Sequence, residues 1–213
     1  LQPKIVISEN VTGIVKGKAK GYVKEIVQAF KDAGYSTQIF NLNAATMGVA
    51  QARRRIFFVS RHDDLNLKPI RLSFKEKPIT FREVTTWLGP QPATPMSNCY
   101  QEMWKECRPG DSFSTVHPTG SYFSARRWSM NKPAPTLVSG SYDKNFHPSQ
   151  PRQISQDEWS ACSSFPTDMQ WSGWDARKSK WAIGMSVPPL MMQRIALEIR
   201  HQWMNSLEDK VEN

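Results

Sequence analysis

The sequence predicts an α/β protein in which a sheet of at least three strands is joined to a small, irregular second domain. Three observations carry that prediction. An apolar strand runs into a helical period within residues 4–34, two further strand runs follow before residue 61, and from about residue 62 the elements become short and are broken by proline and glycine.

"KIVIS" (4–8) is a short β-branched run of the kind found in central parallel strands, and it ends in "ENV". After a Gly- and Lys-rich stretch, "YVKEIVQAFKDAGY" places Tyr22, Ile26, Val27 and Phe30 at helical spacing, with Gly34 as the stop. "TQIFNL" (37–42) and "RIFFVS" (55–60) read as strands. The segment between them, "NAATMGVAQAR", is too long for a tight hairpin and could carry a site. "GPQPATP" (89–95) and "RPGDS" (108–112) mark the loop-rich part. Regular pattern returns with "APTLVSG" (134–140), and Ser155 and Glu158 stand at capping-box spacing before an apolar run. "SVPPLMMQRIALEIRHQWM" (186–204) predicts a C-terminal helix with prolines in its first turn and Leu190, Ile195, Leu197, Ile199 and Trp203 as apolar surface. The linear division is residues 1–65, 66–180 and 181–213.

The chain's 213 residues can bury a core, and its formal net charge of +9 favours a polyanionic partner. The charge is uneven: residues 1–90 hold 15 Lys/Arg against 7 Asp/Glu, and the remainder is close to balance. Nucleic acid fits better than a membrane, because no amphipathic basic helix dominates. Cys99, Cys107 and Cys162 are odd in number and lack CxxC spacing, so neither a disulfide framework nor a metal site is expected. A reducing cytosol is the simplest compartment. No apolar run approaches a membrane span and no signal-peptide pattern opens the chain.

"QARRRIFFV" (51–59) sets three arginines at the mouth of a strand. Taken singly, each is ordinarily a solvated surface residue, and Glu9 at a strand end is ordinarily a cap. Strand alternation would put Gln51, Arg53 and Arg55 on one face and Arg54 on the other, where a phosphate contact or plain solvation suits it. Glu9 ending one strand and Arg55 opening another could meet on a shared sheet as a carboxylate–guanidinium pair.

"SENV" (8–11), "GVAQARRRIFFV" (48–59), "PAPTLVSG" (133–140) with "RQISQDEWSACSSFP" (152–166), and "IGMSVPPLMMQRIA" (183–196) stand in the order of the last motifs of cytosine-C5 DNA methyltransferases, and the chain resembles that family at both ends. The resemblance fades between about 66 and 130, where the family carries its variable target-recognition region. It implies the C-terminal half of a methyltransferase-like Rossmann sheet plus a small irregular target-recognition domain: residues 1–65 as part of the catalytic domain, 66–180 as the recognition domain, and 181–213 as a helix returning to the catalytic part.

The resemblance also implies roles. In that family a cysteine thiolate adds to cytosine C6 and C5 takes a methyl group from S-adenosylmethionine, on a base flipped out of double-stranded DNA. Glu9 would be the carboxyl near N3 and the exocyclic amine, and Arg55 the cation near O2, with Arg53 a third member of the catalytic group. Asn10 would brace the catalytic loop, and Gln51, also a support of that loop, would join Arg53 in orienting the site and holding backbone or loop groups. Thr136 and Arg152 would hold phosphates; local charge alone adds Arg126, Arg127, Lys16, Lys18 and Lys20. Ser186 and Val187 would line the cofactor site, although Met185 stands where the family often has Asn, and Ala50 where it often has Pro.

The family's Gly-rich cofactor loop and Pro-Cys nucleophile are absent, and none of the three cysteines follows a proline. The chain alone is therefore expected to be inactive, with a complementary chain or a missing N-terminal half supplying both. The resemblance implies service in a restriction–modification system, and with it the cytosol of a prokaryote or a phage host. The alternatives are a catalytically inactive DNA-binding or regulatory fragment, and an RNA cytosine-5 methyltransferase. Trp104, Trp128, Tyr122 and Phe123 could stack on bases, but in an irregular domain aromatic residues more often form the core.

Overall fold

The computed structural model describes residues 2–205. Two compact units interleave in the chain. The first comprises residues 1–43, 54–74 and 193–213, the second residues 44–53 and 75–192. The expected linear division does not follow this pattern, because residues 44–53 contact the second unit while the strands on either side of them pair in the first.

In the first unit β1 (Ile5–Val11), β2 (Tyr35–Asn43) and β3 (Arg54–His62) form one sheet in the order β1-β3-β2. The three predicted strands are all present. Their direction differs from the parallel expectation for "KIVIS": β3 is antiparallel to both neighbours, and β1 occupies an edge of this sheet. Side-chain pattern reports burial on two faces, which a strand acquires in either direction. β3 is the central strand, so Ile56, Phe57, Phe58, Val59 and Ser60 are all buried and no alternation shows. α1 (Lys20–Asp32) stops where Gly34 takes a left-handed φ of 82°, as its sequence suggests.

Side chains tie the 67–71 segment to this unit. The Gln38 amide donates to the Ile70 carbonyl and accepts from its N–H, and Gln202 holds Arg71 in the same way. Arg61 donates to Leu67 O, and Trp203 to Lys68 O. The predicted C-terminal helix appears as α6 (Pro189–Ile199), opened by a proline and continued by a π-helical turn over Arg200–Met204. The part of that prediction beyond residue 205 lies outside the described residues.

The second unit contains α2 (Phe81–Leu88), α3 (Asn98–Glu106), the two-residue parallel pair β4 (Arg126–Arg127) and β5 (Asn145–Phe146), α4 (Gln156–Cys162) and α5 (Ala176–Met185). Capping boxes open α2 (Thr80, Glu83) and α4 (Ser155, Glu158). The main core gathers Phe81, Val84, Trp128, Leu137, Ile154, Trp159 and Ile183, and a second cluster holds Met103, Cys107, Phe113 and Phe146. Trp128 is thus a core residue, with its indole N–H satisfied by Asn145 Oδ1 at 2.8 Å. Residues 181–185, expected to begin the last helix, instead end α5, and Ser186 is its C-terminal cap.

α5 lies against the 138–139 backbone at Gly184, where an added Cβ would stand 2.5 Å from Ser139 N and 2.8 Å from Val138 C. Backbone offers no flexible end to yield. Gly184→Ala is expected to destabilise the protein by about 1–3 kcal/mol despite alanine's better helix propensity, measured as a lower denaturant midpoint at unchanged slope.

Candidate functional site

The candidate residues fall into two groups, one in each unit. In the first unit the antiparallel register sets Glu9 opposite Phe57 and Val11 opposite Arg55, so Glu9 and Arg55 are diagonal neighbours on one face. The Arg55 Nε lies 2.7 Å from Glu9 Oε1, with the arginine side chain 11% and the glutamate side chain 27% exposed. The contact is an ion pair rather than an aligned hydrogen bond, because Oε1 receives no N–H in bonding geometry. Arg55 also donates to the Arg54 carbonyl at 2.8 Å. Asn10 projects to the opposite face, where its Oδ1 accepts from Val11 N. Arg54, Lys16, Lys18 and Lys20 are exposed.

In the second unit four of the quoted sequence strings meet. Ala52 N donates to Ala134 O, Ala134 N to Ala50 O, and the Thr136 hydroxyl to Ala52 O at 2.7 Å. This ladder aligns "QAR" with "PAPTL". Gln51, 1% exposed, donates to Ser163 Oγ and accepts from Leu137 N. Arg53, 2% exposed, donates to Leu137 O at 2.7 Å and Gly184 O at 3.1 Å. Ser164 Oγ receives Leu190 N. A buried guanidinium must find acceptors, and backbone carbonyls from two distant segments supply them.

Three sequence expectations are corrected here. Gln51 and Arg53 do not share a strand face with Arg55: β3 begins at Arg54, and residues 50–53 bond to 134–136 instead. Arg53 holds the backbone of two segments, the positioning role that the resemblance implied for it. Arg152, expected at a phosphate, is buried and forms a two-pronged pair with Glu158 at 2.8 and 2.7 Å. Arg127 is likewise committed, donating to the carbonyls of Trp104, Cys107 and Pro148 and lying 3.8 Å over the Trp104 ring. Arg126, beside it on β4, is exposed.

Sequence reasoning missed the buried polar cluster around Glu158. Burial alone would raise its carboxyl, but the Arg152 hydrogen bonds, the Ser155 N–H and the charges of Arg152 and His147 outweigh this and hold it below the usual range. His147, 4% exposed, is pushed down to about 4 by burial and by Arg152, against the opposing pull of Glu158. Lys180 is pushed down to about 8, chiefly by burial, and donates to Ile154 O at 2.7 Å. The capping-box spacing located Glu158, but nothing in the sequence joined it to residues 147 and 180. Burial pushes the Cys107 and Cys162 thiols up, away from the thiolate a nucleophile needs. Among the described residues no His/Cys/Asp/Glu cluster could hold a metal, and no helix is long and apolar enough to cross a membrane.

Comparison with known proteins gives a consistent result. The family model of C-5 cytosine-specific DNA methylases matches residues 1–201. The chain is 29% identical to the Type II methyltransferase M.FnuDI of Fusobacterium nucleatum over 74% of its own length and 47% of the relative's. It is 28% identical to M.DdeI of Desulfomicrobium norvegicum, over 95% and 64% of the two chains. The chain spans about half to two-thirds of the length of the curated relatives it matches. Among solved structures, a DNA modification methyltransferase encoded within an E. coli prophage superposes with a TM-score of 0.74 at 18% identity, covering 96% of this chain and 71% of that one. S. pombe Dnmt2 methyltransferase gives 0.60 at 13% identity, over 93% and 67%. These likenesses show the α/β fold.

Two predictions follow from the second unit's buried charges. Arg53→Met strands two buried carbonyls and should cost about 2–5 kcal/mol, whereas Arg54→Ala, at an exposed position, should stay within about 0.5 kcal/mol; chemical denaturation of both separates them. His147 has a folded pKa below its unfolded value of about 6.5, so the unfolded chain takes up the proton first. Its contribution is complete above pH 6.5 and is lost as pH falls toward 4. Between pH 7 and pH 5 stability should drop by about 1–2 kcal/mol more in the parent than in His147→Asn; equal pH slopes for the two proteins would refute this.

Proposed function

The chain belongs to the C-5 cytosine-specific DNA methylase family, and we propose that it supplies the base-stabilising and DNA-recognising part of a DNA (cytosine-5)-methyltransferase. The observation that carries this reading is the Glu9–Arg55 ion pair, 2.7 Å between groups drawn from "ENV" and "QARRR". A carboxylate and a guanidinium on one face of a sheet can address a pyrimidine from two sides. Glu9 accepts from the exocyclic amine and holds a proton toward N3, while Arg55 directs its further N–H groups to O2. Both offset the charge that grows on the ring once a cysteine thiolate has bonded to C6. That thiolate is assigned to a complementary chain or N-terminal half, since none of Cys99, Cys107 and Cys162 follows a proline and burial pushes the Cys107 and Cys162 thiols up.

Gln51 and Arg53 act by holding backbone rather than by touching the base. Ser186 ends α5 with its amide and hydroxyl both bonded to the last turn, and with half-buried Val187 it presents an oxygen acceptor beside an apolar surface. That chemistry fits one wall of an S-adenosylmethionine site, which these two residues would line. When bound, the cofactor supplies the electrophilic methyl group. For duplex DNA, the flipped-base chemistry needs phosphate contacts, and Arg126 and the exposed lysines 16, 18 and 20 are cations available to make them, whereas the Thr136 hydroxyl is already given to Ala52 O.

The test is complementation. Mixing the chain with a polypeptide that carries the Gly-rich loop and Pro-Cys should transfer labelled methyl groups to duplex DNA. Glu9→Gln and Arg55→Ala should each lower that rate by roughly 100-fold or more while leaving duplex binding in place. Restored activity indifferent to both substitutions would overturn the site. Salt-sensitive duplex binding without 5-methylcytosine under any complementation would identify a binding module instead.

A further inference from the structure

We propose that Phe123 is the side chain by which the second unit engages the stacked bases of duplex DNA, inserting against a base step while Arg126 holds the adjacent backbone. The inference rests on the duplex-binding reading above and specifies where and how contact is made.

Phe123 is 75% exposed, in a unit that buries Phe81, Phe113 and Phe146 completely. Its exposure is built rather than frayed. The preceding residue, Tyr122, adopts a left-handed φ of 63°, which a non-glycine residue takes only when its surroundings impose it. The surroundings are present. The Tyr122 ring packs edge-on against Tyr100 at 5.7 Å and against His117 at 5.0 Å. Ala125 N donates to Tyr122 O, and the Ser112 hydroxyl donates to Phe123 O at 2.8 Å. The backbone is therefore pinned on both sides of Phe123, Tyr122 is turned down onto the unit, and Phe123 is turned out.

What it faces is an open cleft of about 500 Å³ whose walls include Arg126, Pro135, Thr136 and Val138. Val138 is 42% exposed, so the cleft carries two large apolar side chains in water. Its lining includes an arginine and no carboxylate. Arg126 is the member of the Arg126–Arg127 pair whose guanidinium is free to meet an anion, since Arg127 is spent on three carbonyls. An apolar ring beside an exposed cation matches a polyanion that also presents flat apolar faces. Duplex DNA has that chemistry: phosphates for Arg126, and a base step for the ring.

The experiment uses the full chain. A preferred duplex is selected from a randomised pool, and 2-aminopurine is walked across it. One position should brighten on protein binding, reporting an unstacked step. Phe123→Ala should abolish that signal and weaken binding roughly 10-fold, with an unchanged melting temperature because the side chain is exposed. Phe123→Trp should restore both. Arg126→Ala should keep the fluorescence rise but weaken binding and reduce the salt slope by about one. If the parent chain binds no duplex, the proposed function itself fails. If the parent binds with strong salt dependence yet no position brightens, or Phe123→Ala matches the parent, the insertion is overturned. An effect of Phe123→Ala confined to association with a complementary chain would also overturn it, assigning the cleft to protein contact.

Discussion

The second unit depends on one buried charge. Arg53 brings its guanidinium to 2% exposure and holds the carbonyls of Leu137 and Gly184, which lie far from it in sequence. Removing an ion from water is costly unless it finds acceptors, so the segments that supply them can adopt few alternative arrangements. Around that point the other contacts fall into register: Gln51 reaches Ser163 and Leu137, Thr136 reaches Ala52, and Gly184 permits backbone to approach backbone. The sequence strings that mark the family are therefore joined by hydrogen bonds, and residues that never touch a substrate have reason to be specific.

The three consecutive arginines show how little a charge run says by itself. Arg53 is a buried tie, Arg54 is exposed, and Arg55 pairs with Glu9. The same residue type in adjacent positions meets three dielectric environments, and each gives the guanidinium a different task. The first unit's pairing comes from antiparallel register, which sets the two side chains diagonally across neighbouring strands.

A second buried network stands apart from these residues. Arg152, Glu158, His147 and Lys180 place several ionisable groups among Trp159, Ile154 and Phe81. Because Glu158 keeps its charge and His147 stays neutral near pH 7, the cluster is satisfied with one carboxylate against one guanidinium and one lysine whose ammonium is bonded to a carbonyl. Arg152, which charge counting would assign to DNA, is thereby withdrawn from the surface, whereas Arg126 stays exposed.

By itself the sequence determined the α/β class, the three strands, the capping box of α4, the proline-opened last helix and the family strings, because these depend on periodicity and on residues that act within a few positions of themselves. It also placed Glu9 and Arg55 at strand ends from which they could meet. Tertiary structure alone decided strand direction, the division of the chain into interleaved units, and the fates of Arg53, Arg127 and Arg152. Side-chain pattern records whether a residue is buried, whereas an arginine's role depends on which acceptors lie within hydrogen-bonding distance. For Arg53 those acceptors are backbone carbonyls at residues 137 and 184, and a carbonyl carries no signature in the identity of its residue.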